Sequence, residues 1–360
     1  MPDITFIFPH AASGPTGGYK VVYEYANRLV NDGFEVHIVY SGSIYWSQKP
    51  LRFKLTNVIR YLQTFVRGYS ARRWFPLDKR VKEHLTFSMN YRHVPKTGIY
   101  VATSPYTAAY LNDYPVDAAN KFYFIQDRED WGPGLEAILE KTYKMPLQKI
   151  VIARWLKIML ENVYGEQSVF IPNGFDFGKF RLTIKPEDKN KYCVSIMYHS
   201  MERKRCEDAI EALKLVKARV PELQVNVFGV PPRPADLPEW FVYYRMPDDE
   251  THNRINNESA IYAGSSAVEG WGLTVGEAMI CGQAVCCTDN DGYREMAIDG
   301  TTALLSPVKD PAALAENIIT LIGNDELRLR IARAGNEYIR QFVWDDSYRK
   351  FKETVFSGKI

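Results

Sequence analysis

The stretch Ala267-Val-Glu-Gly-Trp-Gly-Leu-Thr-Val-Gly-Glu-Ala-Met279 concentrates more usable chemistry than any other part of the chain. It follows an apolar run that reads as a buried strand, and it opens a helical pattern. Gly270 and Gly272 allow a backbone to approach a ligand closely. The N–H groups of Gly272, Leu273 and Thr274 fall at the helix N-terminus, where they lack intrahelical acceptors and form an anion site. Glu277 lies further into the helix and Glu269 just before it. A carboxylate repels phosphate, but it accepts hydrogen bonds from hydroxyls and can take two from a diol. An anion site between two such carboxylates fits a phosphate flanked by two polyols, as in a nucleotide sugar. Capping and surface charge on an ordinary helix remain open on spacing alone.

Other motifs are weaker. Asp289-Asn290-Asp291 has the Asp-x-Asp form that can hold a divalent metal on a diphosphate. It follows the apolar run Ala284–Cys287 and precedes Gly292, so it reads as a loop and turn, and no metal is assigned to it. The six histidines show no metal-binding spacing. Five cysteines with no C-x-x-C pair read as reduced, buried thiols. The Gly17-Gly18 turn lacks the full glycine fingerprint of a dinucleotide site, which argues against a nicotinamide dehydrogenase.

These residues need elements to hold them. Ile4–Phe8, the glycine-rich turn, a helix with Val22, Tyr25, Ala26 and Leu29 on one face, and Val36–Val39 form a strand, turn, helix, strand unit. Ile99–Ala102, Phe122–Ile125, Ile150–Ile152 and Val169–Ile171 read as further strands. Pro172-Asn173-Gly174 is a turn, and Lys185–Lys191 reads as a polar linker. The pattern then restarts: strands Val194–Tyr198, Val225–Phe228, Ala260–Ala263 and Ala284–Cys287, and helices Cys206–Ala218, Leu273–Cys281, Ala312–Ile322 and Glu326–Arg340. Two similar α/β halves predict a ligand cleft between them. The 360 residues suit about two domains at roughly 150 residues each. With 46% apolar, 13% aromatic and 24% charged residues, disorder is excluded as the main state. No apolar run approaches a membrane span, and MPDITFIFPH has no basic region ahead of an apolar one, so a secretory signal is not expected.

The net charge of +2 conceals an asymmetry. Eleven Lys/Arg between Lys49 and Arg92 face only Asp78 and Glu83, a local charge of +9 against −7 elsewhere. Such a block suits an anionic surface. Leu51, Leu55, Val58, Ile59, Leu62, Phe65 and Val66 recur at mostly helical spacing. Arg52, Lys54, Arg60 and Arg67 lie among them, and Tyr61, Tyr69, Trp74 and Phe75 are interfacial aromatics. This predicts peripheral contact with an anionic membrane; packing of the stripe on the sheet is the alternative. No nucleic-acid recognition module accompanies the block.

Glu269-x7-Glu277, in the setting EGWGLTVGEAM, resembles the signature of retaining GT-B glycosyltransferases of family 4. The segment CGQAVCCTDNDGYREMAIDGTTALLSPVKDPAALAENI resembles that family's C-terminal domain, and IPNGFDFGKF its interdomain turn. The resemblance is strong over 169–340 and weaker before it. YFIQDREDW (Tyr123–Trp131) is similar to bacterial members that build rhamnose-containing polysaccharides. The resemblance implies two Rossmann-like α/β domains facing across a cleft: an acceptor domain over 1–175, a nucleotide-sugar domain over 176–340, and a C-terminal helix over 341–360 packing back on the first.

It also implies roles. Glu277 would hold the ribose hydroxyls and Glu269 the donor-sugar hydroxyls near the reacting carbon. Gly270 and the amides of Gly272, Leu273 and Thr274 would hold the diphosphate and sugar. In HSMERKRCEDAIEAL, Lys204 falls at the family's lysine position, whereas the family's arginine aligns with His199; Arg203 or Arg205 would then supply the missing charge. Gly17 and Gly18 resemble the family's glycine-rich loop. Gln126-Asp127 stands where many members have His-Asp. Gln126 can only orient hydroxyls, so Asp127 joins Glu269 as the catalytic candidate, with a helix cap or a partner of Arg128 as alternatives. Glu295 is expected to cap the following helix, with contact to the nucleotide as the alternative. The implied activity is metal-independent transfer of a sugar, with retention and without a cofactor, from a dTDP-rhamnose, UDP-sugar or GDP-sugar donor. The acceptor would be a saccharide, free or lipid-linked, in bacterial cell-surface polysaccharide synthesis at the cytoplasmic face of the membrane. A nucleotide-sugar epimerase of GT-B architecture and a non-catalytic nucleotide-sugar-binding protein are the alternatives.

Overall fold

A computed structural model of the chain describes residues 3–12, 14–42, 51–130 and 135–358; the side chains of 51–57, 60 and 135–137 lie outside that description. The chain divides into two compact units, Met1–Pro172 with Asp345–Ile360, and Asn173–Trp344.

Unit 1 is built on a parallel sheet of β1 (Asp3–Phe8), β2 (Glu35–Ser41), β3 (Lys82–Thr86), β4 (Ile99–Ala102), β5 (Lys121–Ile125), β6 (Gln148–Val151) and β7 (Ser168–Phe170), in the order β3-β2-β1-β4-β5-β6-β7. The central strands are near-continuous apolar runs because helices cover both faces of a parallel sheet. The helix Gly17–Asn31 turns Val22, Tyr25, Ala26 and Leu29 inward, as its spacing predicts. The terminal helix Trp344–Phe356 supplies Phe351, whose ring stacks on Tyr25 at 4.4 Å and on Phe6 at 6.1 Å. Tyr348 and Lys352 of the same helix both bond Asp32.

Unit 2 repeats the plan with β8 (Asn190–Tyr198), β9 (Gln224–Gly229), β10 (Phe241–Arg245), β11 (Ser259–Gly264), β12 (Ala284–Thr288) and β13 (Ala303–Ser306), in the order β10-β9-β8-β11-β12-β13. Both sheets therefore run outward in the two directions from a first strand, which is the Rossmann order. Its core joins Val194, Ile196, Val225, Val227, Ile261 and Cys286 to Leu213, Val216, Ile318 and Leu321 from the helices on one side. All five cysteines are buried and free.

Among the described residues, β3, β10, β13 and the helix Asp249–Glu258 are elements that escape the periodicity reading. β3 (KEHLT) and β10 (FVYYR) each have a single neighbour in their sheet, so polar side chains are tolerated on them. The helix DETHNRINNE carries little apolar signal, yet Asn253, Asn256 and Asn257 are buried. Lys185–Lys191, read as a polar linker, holds the 3-10 turn Pro186–Asp188 and the start of β8 at Asn190. Asn257 Oδ1 accepts the N–H groups of Thr183 and Ile184, and Asn253 Oδ1 accepts that of Arg181. Lys189 is buried, and its ammonium donates to the carbonyls of Asn256 and Asn257, capping the helix C-terminus. Burial pushes its pKa down to about 8. The segment entering unit 2 is thus strapped to it. The division between units falls at Pro172/Asn173 and Trp344/Asp345, because Phe175 N–H bonds Phe342 O and Phe175 pairs with Val343.

Candidate functional site

In an open parallel sheet, ligands bind outside the carboxyl ends of the strands, where the strand order reverses. In unit 2 that point lies between β8 and β11. The loop after β8 carries His199 and Arg203–Arg205; the loop after β11 carries Ser265–Gly272; the loop after β12 carries Asp289–Gly292. The two loops flanking the reversal are tied together. Ala267 N–H bonds Arg203 O at 2.8 Å, the Ser265 hydroxyl bonds Lys204 O at 3.1 Å, and Lys204 Nζ lies 2.6 Å from Glu269 Oε1. Glu269 is 8% exposed, and its buried charge is met by that ammonium and by the Ser266 hydroxyl at 2.7 Å.

The third loop supports the second. Thr288 Oγ1 and Asn290 Nδ2 both donate to Ser266 O, at 2.5 and 2.9 Å. Gly292 approaches so closely that a Cβ there would meet Glu269 O at 2.2 Å. Gly272 caps the helix Leu273–Ile280 in the left-handed region (φ 93°), and a side chain there would strike Tyr293. Gly272, Leu273 and Thr274 thus stand at a helix N-terminus directly after the Glu269 loop, where N–H groups without intrahelical acceptors carry partial positive charge. The Tyr262 hydroxyl bonds Thr274 Oγ1 at 2.8 Å and fixes that first turn to β11. Glu277 sits half-exposed on the same short helix.

The charge at position 199 does not come from histidine. His199 Nδ1 accepts the Met201 N–H at 3.0 Å, which places the ring proton on Nε2. Burial, with Lys204 and Arg203 nearby, lowers its pKa. Arg205 is occupied by Asp208 through two hydrogen bonds at 2.8 and 2.7 Å. Arg203 is the arginine that faces the Glu269 loop, with its guanidinium 3.5 Å from Val268 O. Asp289 is bidentate with Arg294, and Asn290 holds Ser266, so two members of Asp-x-Asp serve the loop. Among the described residues, no cluster of three His, Cys, Asp or Glu side chains can hold a metal ion. Glu295 closes the short 3-10 turn Tyr293–Glu295 and no helix follows it until Pro311, which corrects its reading as a cap.

In unit 1, Gly17 and Gly18 open the first helix, and Gln126 Nε2 donates to Gly18 O at 3.0 Å. Gln126 Oε1 is buried, and among the described residues no hydrogen-bond donor faces it. Asp127 Oδ1 accepts the Arg128 N–H at 2.9 Å, while the Arg128 guanidinium pairs with Asp130. Asp127 is not a helix cap, since Arg128, Glu129 and Asp130 are not helical. Ser13 and Trp131 lie outside the described residues.

The basic block splits in two. Arg72 bonds Glu83 and the carbonyls of Asp78 and Val81, Arg80 bonds Asp78 and Val30 O, Arg73 bonds the carbonyls of Arg67 and Gly68, and Lys82 pairs with Glu35. These cations hold the fold. The helix Leu51–Val66, however, exposes Ile59 (54%), Leu62 (52%), Phe65 (61%) and Val66 (83%) on one face. The expected apolar positions Leu51 and Leu55 and the basic side chains Lys49, Arg52, Lys54 and Arg60 lie outside the described residues. Among the described residues, no helix is long and apolar enough to cross a membrane.

Sequence reading missed Ser266, Asn290, Tyr262 and Tyr293. Ser266 stands three residues before Glu269, but only the fold turns its hydroxyl onto that carboxylate.

Residues 180–338 match the family of glycosyl transferases group 1. A phosphatidyl-myo-inositol mannosyltransferase of Mycobacterium tuberculosis is 26% identical over 223 residues, 58% of this chain. The match spans 59% of that relative's length, less than two thirds. Among solved structures, sucrose-phosphate synthase of Thermosynechococcus elongatus superposes with a TM-score of 0.70 at 14% identity, covering 98% of both chains. The Anabaena protein HepE, in complex with UDP-glucose, superposes with a TM-score of 0.72 at 15% identity, covering 99% of both. The fold of this chain is therefore GT-B, two Rossmann-like α/β domains.

Proposed function

We propose that this protein is a retaining glycosyltransferase of family 4, moving a sugar from a nucleotide-diphosphate donor to a saccharide acceptor in bacterial cell-surface polysaccharide synthesis. The observation that carries this reading is the Glu269 carboxylate, braced by Lys204 and Ser266 beside the helix N-terminus at Gly272–Thr274. The curated relative's name, a mannosyltransferase acting on a phosphatidylinositol, and the UDP-glucose complex of the structural neighbour support it.

On this reading Glu277 accepts the ribose hydroxyls and Glu269 those of the donor sugar. The amides of Gly272, Leu273 and Thr274 stabilise the growing charge of the diphosphate, with Arg203 and Lys204 adding positive potential. The bond between the anomeric carbon and the diphosphate oxygen breaks, and its electron pair leaves with the phosphate. The acceptor oxygen bonds to the same face of the carbon, and its proton passes to the departing phosphate oxygen. The sugar crosses an oxocarbenium-like state. Asp127 and Gln126 contact the acceptor and sugar, and Gly17 and Gly18 line their approach. No metal or other cofactor takes part, so transfer persists in excess EDTA. The exposed Ile59, Leu62, Phe65 and Val66 face rests on an anionic membrane at the cytoplasmic side, where a lipid-linked acceptor would be presented.

A thermal-shift screen with UDP, GDP, ADP and dTDP tests the donor side. A ligand at 100 times its Kd stabilises by about 2.7 kcal/mol. The sugar conjugate of the stabilising nucleotide is then offered with glycan acceptors, and the product's anomeric configuration is read by NMR. Failure of all four nucleotides to stabilise the protein refutes the reading. Epimerised donor without transfer, or binding without turnover, replaces it with an epimerase or a binding protein.

A further inference from the structure

His199 stands half-buried on the loop after β8, at the strand reversal, and its ring is tied to the backbone of that loop. Its Nδ1 accepts the Met201 N–H at 3.0 Å. The 3-10 turn Glu202–Lys204 starts from Met201, whose carbonyl takes the Lys204 N–H at 2.9 Å. The far end of the turn is fixed by Arg205, which has φ 48° and is bonded twice to Asp208. The imidazole therefore locks the near end of the turn that presents Arg203 and Lys204. It does so only while neutral. An imidazolium carries a proton on Nδ1 as well, and would face the Met201 N–H with a second donor. The surroundings oppose that proton. Burial, then Lys204 and Arg203 on the same loop, lower the ring's pKa below 6.5. From the helix Cys206–Arg219, the Cys206 thiol accepts the backbone N–H of His199 at 3.2 Å, and burial pushes that thiol up to about 11, so it is neutral. Glu269, on the loop after β11, favours the proton, but its charge already meets Lys204 at 2.6 Å.

Resting on the glycosyltransferase reading above, we infer that His199 is a positioning residue: its neutral ring pins the Met201–Lys204 turn for the donor's diphosphate, and its protonation unpins it. Arg203 and Lys204 meet the diphosphate from a set backbone at neutral pH and from a loosened one in acid. The ring contributes shape instead of charge. Because its pKa lies below 6.5, the pin is whole above that pH and is lost as the pH falls through the ring's own pKa. Asparagine and alanine separate this role from others at the same position. An asparagine Oδ1 accepts the N–H two residues on and does not titrate, whereas alanine accepts nothing.

Wild type, His199→Asn and His199→Ala are compared by calorimetry at about pH 7.5 and about pH 5. The ligand is UDP, or GDP, ADP or dTDP where that one stabilises the wild type. At the higher pH, His199→Ala weakens binding about fivefold, the scale of one hydrogen bond, and His199→Asn recovers most of that loss. Between the two pH values, wild type weakens about threefold more than His199→Asn, since protonation of the nucleotide and of the site carboxylates is common to both. NMR of the wild-type ring nitrogens without nucleotide shows the proton of neutral His199 on Nε2 and a pKa below 6.5. Equal pH slopes in wild type and His199→Asn overturn the inference. Wild-type affinity in His199→Ala at the higher pH overturns it too. Wild type that tightens in acid relative to His199→Asn makes the imidazolium itself a phosphate ligand and overturns it as well. A neutral ring protonated on Nδ1 overturns it without any nucleotide, and so decides the case if the variants fail to fold. Wild type that binds none of the four nucleotides refutes the glycosyltransferase reading itself, a separate outcome that leaves the ring measurement to decide the pin.

Discussion

The two units share a strand order but hold their candidate residues differently. In unit 2 the candidates come from loops after three adjacent strands, β8, β11 and β12, and each loop is bonded to the next. In unit 1 the candidates follow β1 and β5, which β4 separates, and one side-chain bond from Gln126 to Gly18 joins them. A buried carboxylate beside an anion site demands compensation, because an unpaired buried charge is costly. A half-exposed aspartate such as Asp127 is solvated and needs less. The lesson is that electrostatic cost forces a dense set of bonds around a buried charge, whereas water does that work for a solvated one.

The largest expected contrast is catalytic. Glu269→Ala lowers turnover on the order of 10²–10³-fold, the scale of losing one preorganised group. Asp127→Ala lowers it by less than about tenfold, as befits a half-exposed contact. Steady-state rates with saturating donor decide this, and a greater loss at Asp127 would invert the contrast. The next concerns binding. Glu277→Ala weakens nucleotide affinity about tenfold or more, the worth of a charged hydrogen bond, while Gln126→Ala leaves it unchanged in calorimetry.

A third prediction isolates unit 1. The protein co-sediments with anionic vesicles at low salt and is released at about 0.5 M, where screening is short-ranged. Ile59→Ser, Leu62→Ser and Phe65→Ser together reduce this binding about tenfold or more. Charge reversal at Arg72 and Arg80 is unsuitable for the purpose, since both cations brace the fold. Wild type that ignores anionic vesicles would remove the membrane from the reading.

The smallest effect is the pH dependence contributed by one histidine of unit 1. His84 Nε2 meets His37 Nδ1 at 2.8 Å, and burial, His37 and Lys82 lower its pKa below 6.5. The folded state therefore favours neutral His84, and the unfolded chain binds more protons as the pH falls below 6.5. The stability contributed is present above that pH and is lost beneath it. Because the ring is half-exposed, the loss between pH 7 and 5 is a few tenths of a kcal/mol. Denaturant titrations of wild type and His84→Gln at both pH values would show the slope flattened in the variant.

Much of the architecture was legible because central parallel strands must be apolar on both faces, and helices between them must be amphipathic. Two of the elements that escaped, the helix Asp249–Glu258 and β3, are polar by composition. The helix DETHNRINNE hides three buried asparagines, and burial of an amide is invisible unless its backbone partners are known. β3 escaped because an edge strand can carry Lys82 and Glu83. Within the site, Glu269, Glu277 and the glycine turn were readable from spacing, whereas Ser266, Asn290 and the pairing of Lys204 with Glu269 were not.

The sequence by itself determined that two α/β series lie in one chain, that a helix N-terminus follows Glu269, and that basic residues crowd the stretch from Lys49 to Arg92. Those are local matters: periodicity, turn chemistry and counted charge need only neighbours along the chain. Tertiary structure alone decided which cations are spoken for. Arg72 and Arg80 brace unit 1, Arg205 holds Asp208, and Lys204, separated from Glu269 by 65 positions, meets it at 2.6 Å. The partner of a charge is set by which strand ends the sheet brings side by side, and strand order is a property of the folded sheet that no local spacing encodes.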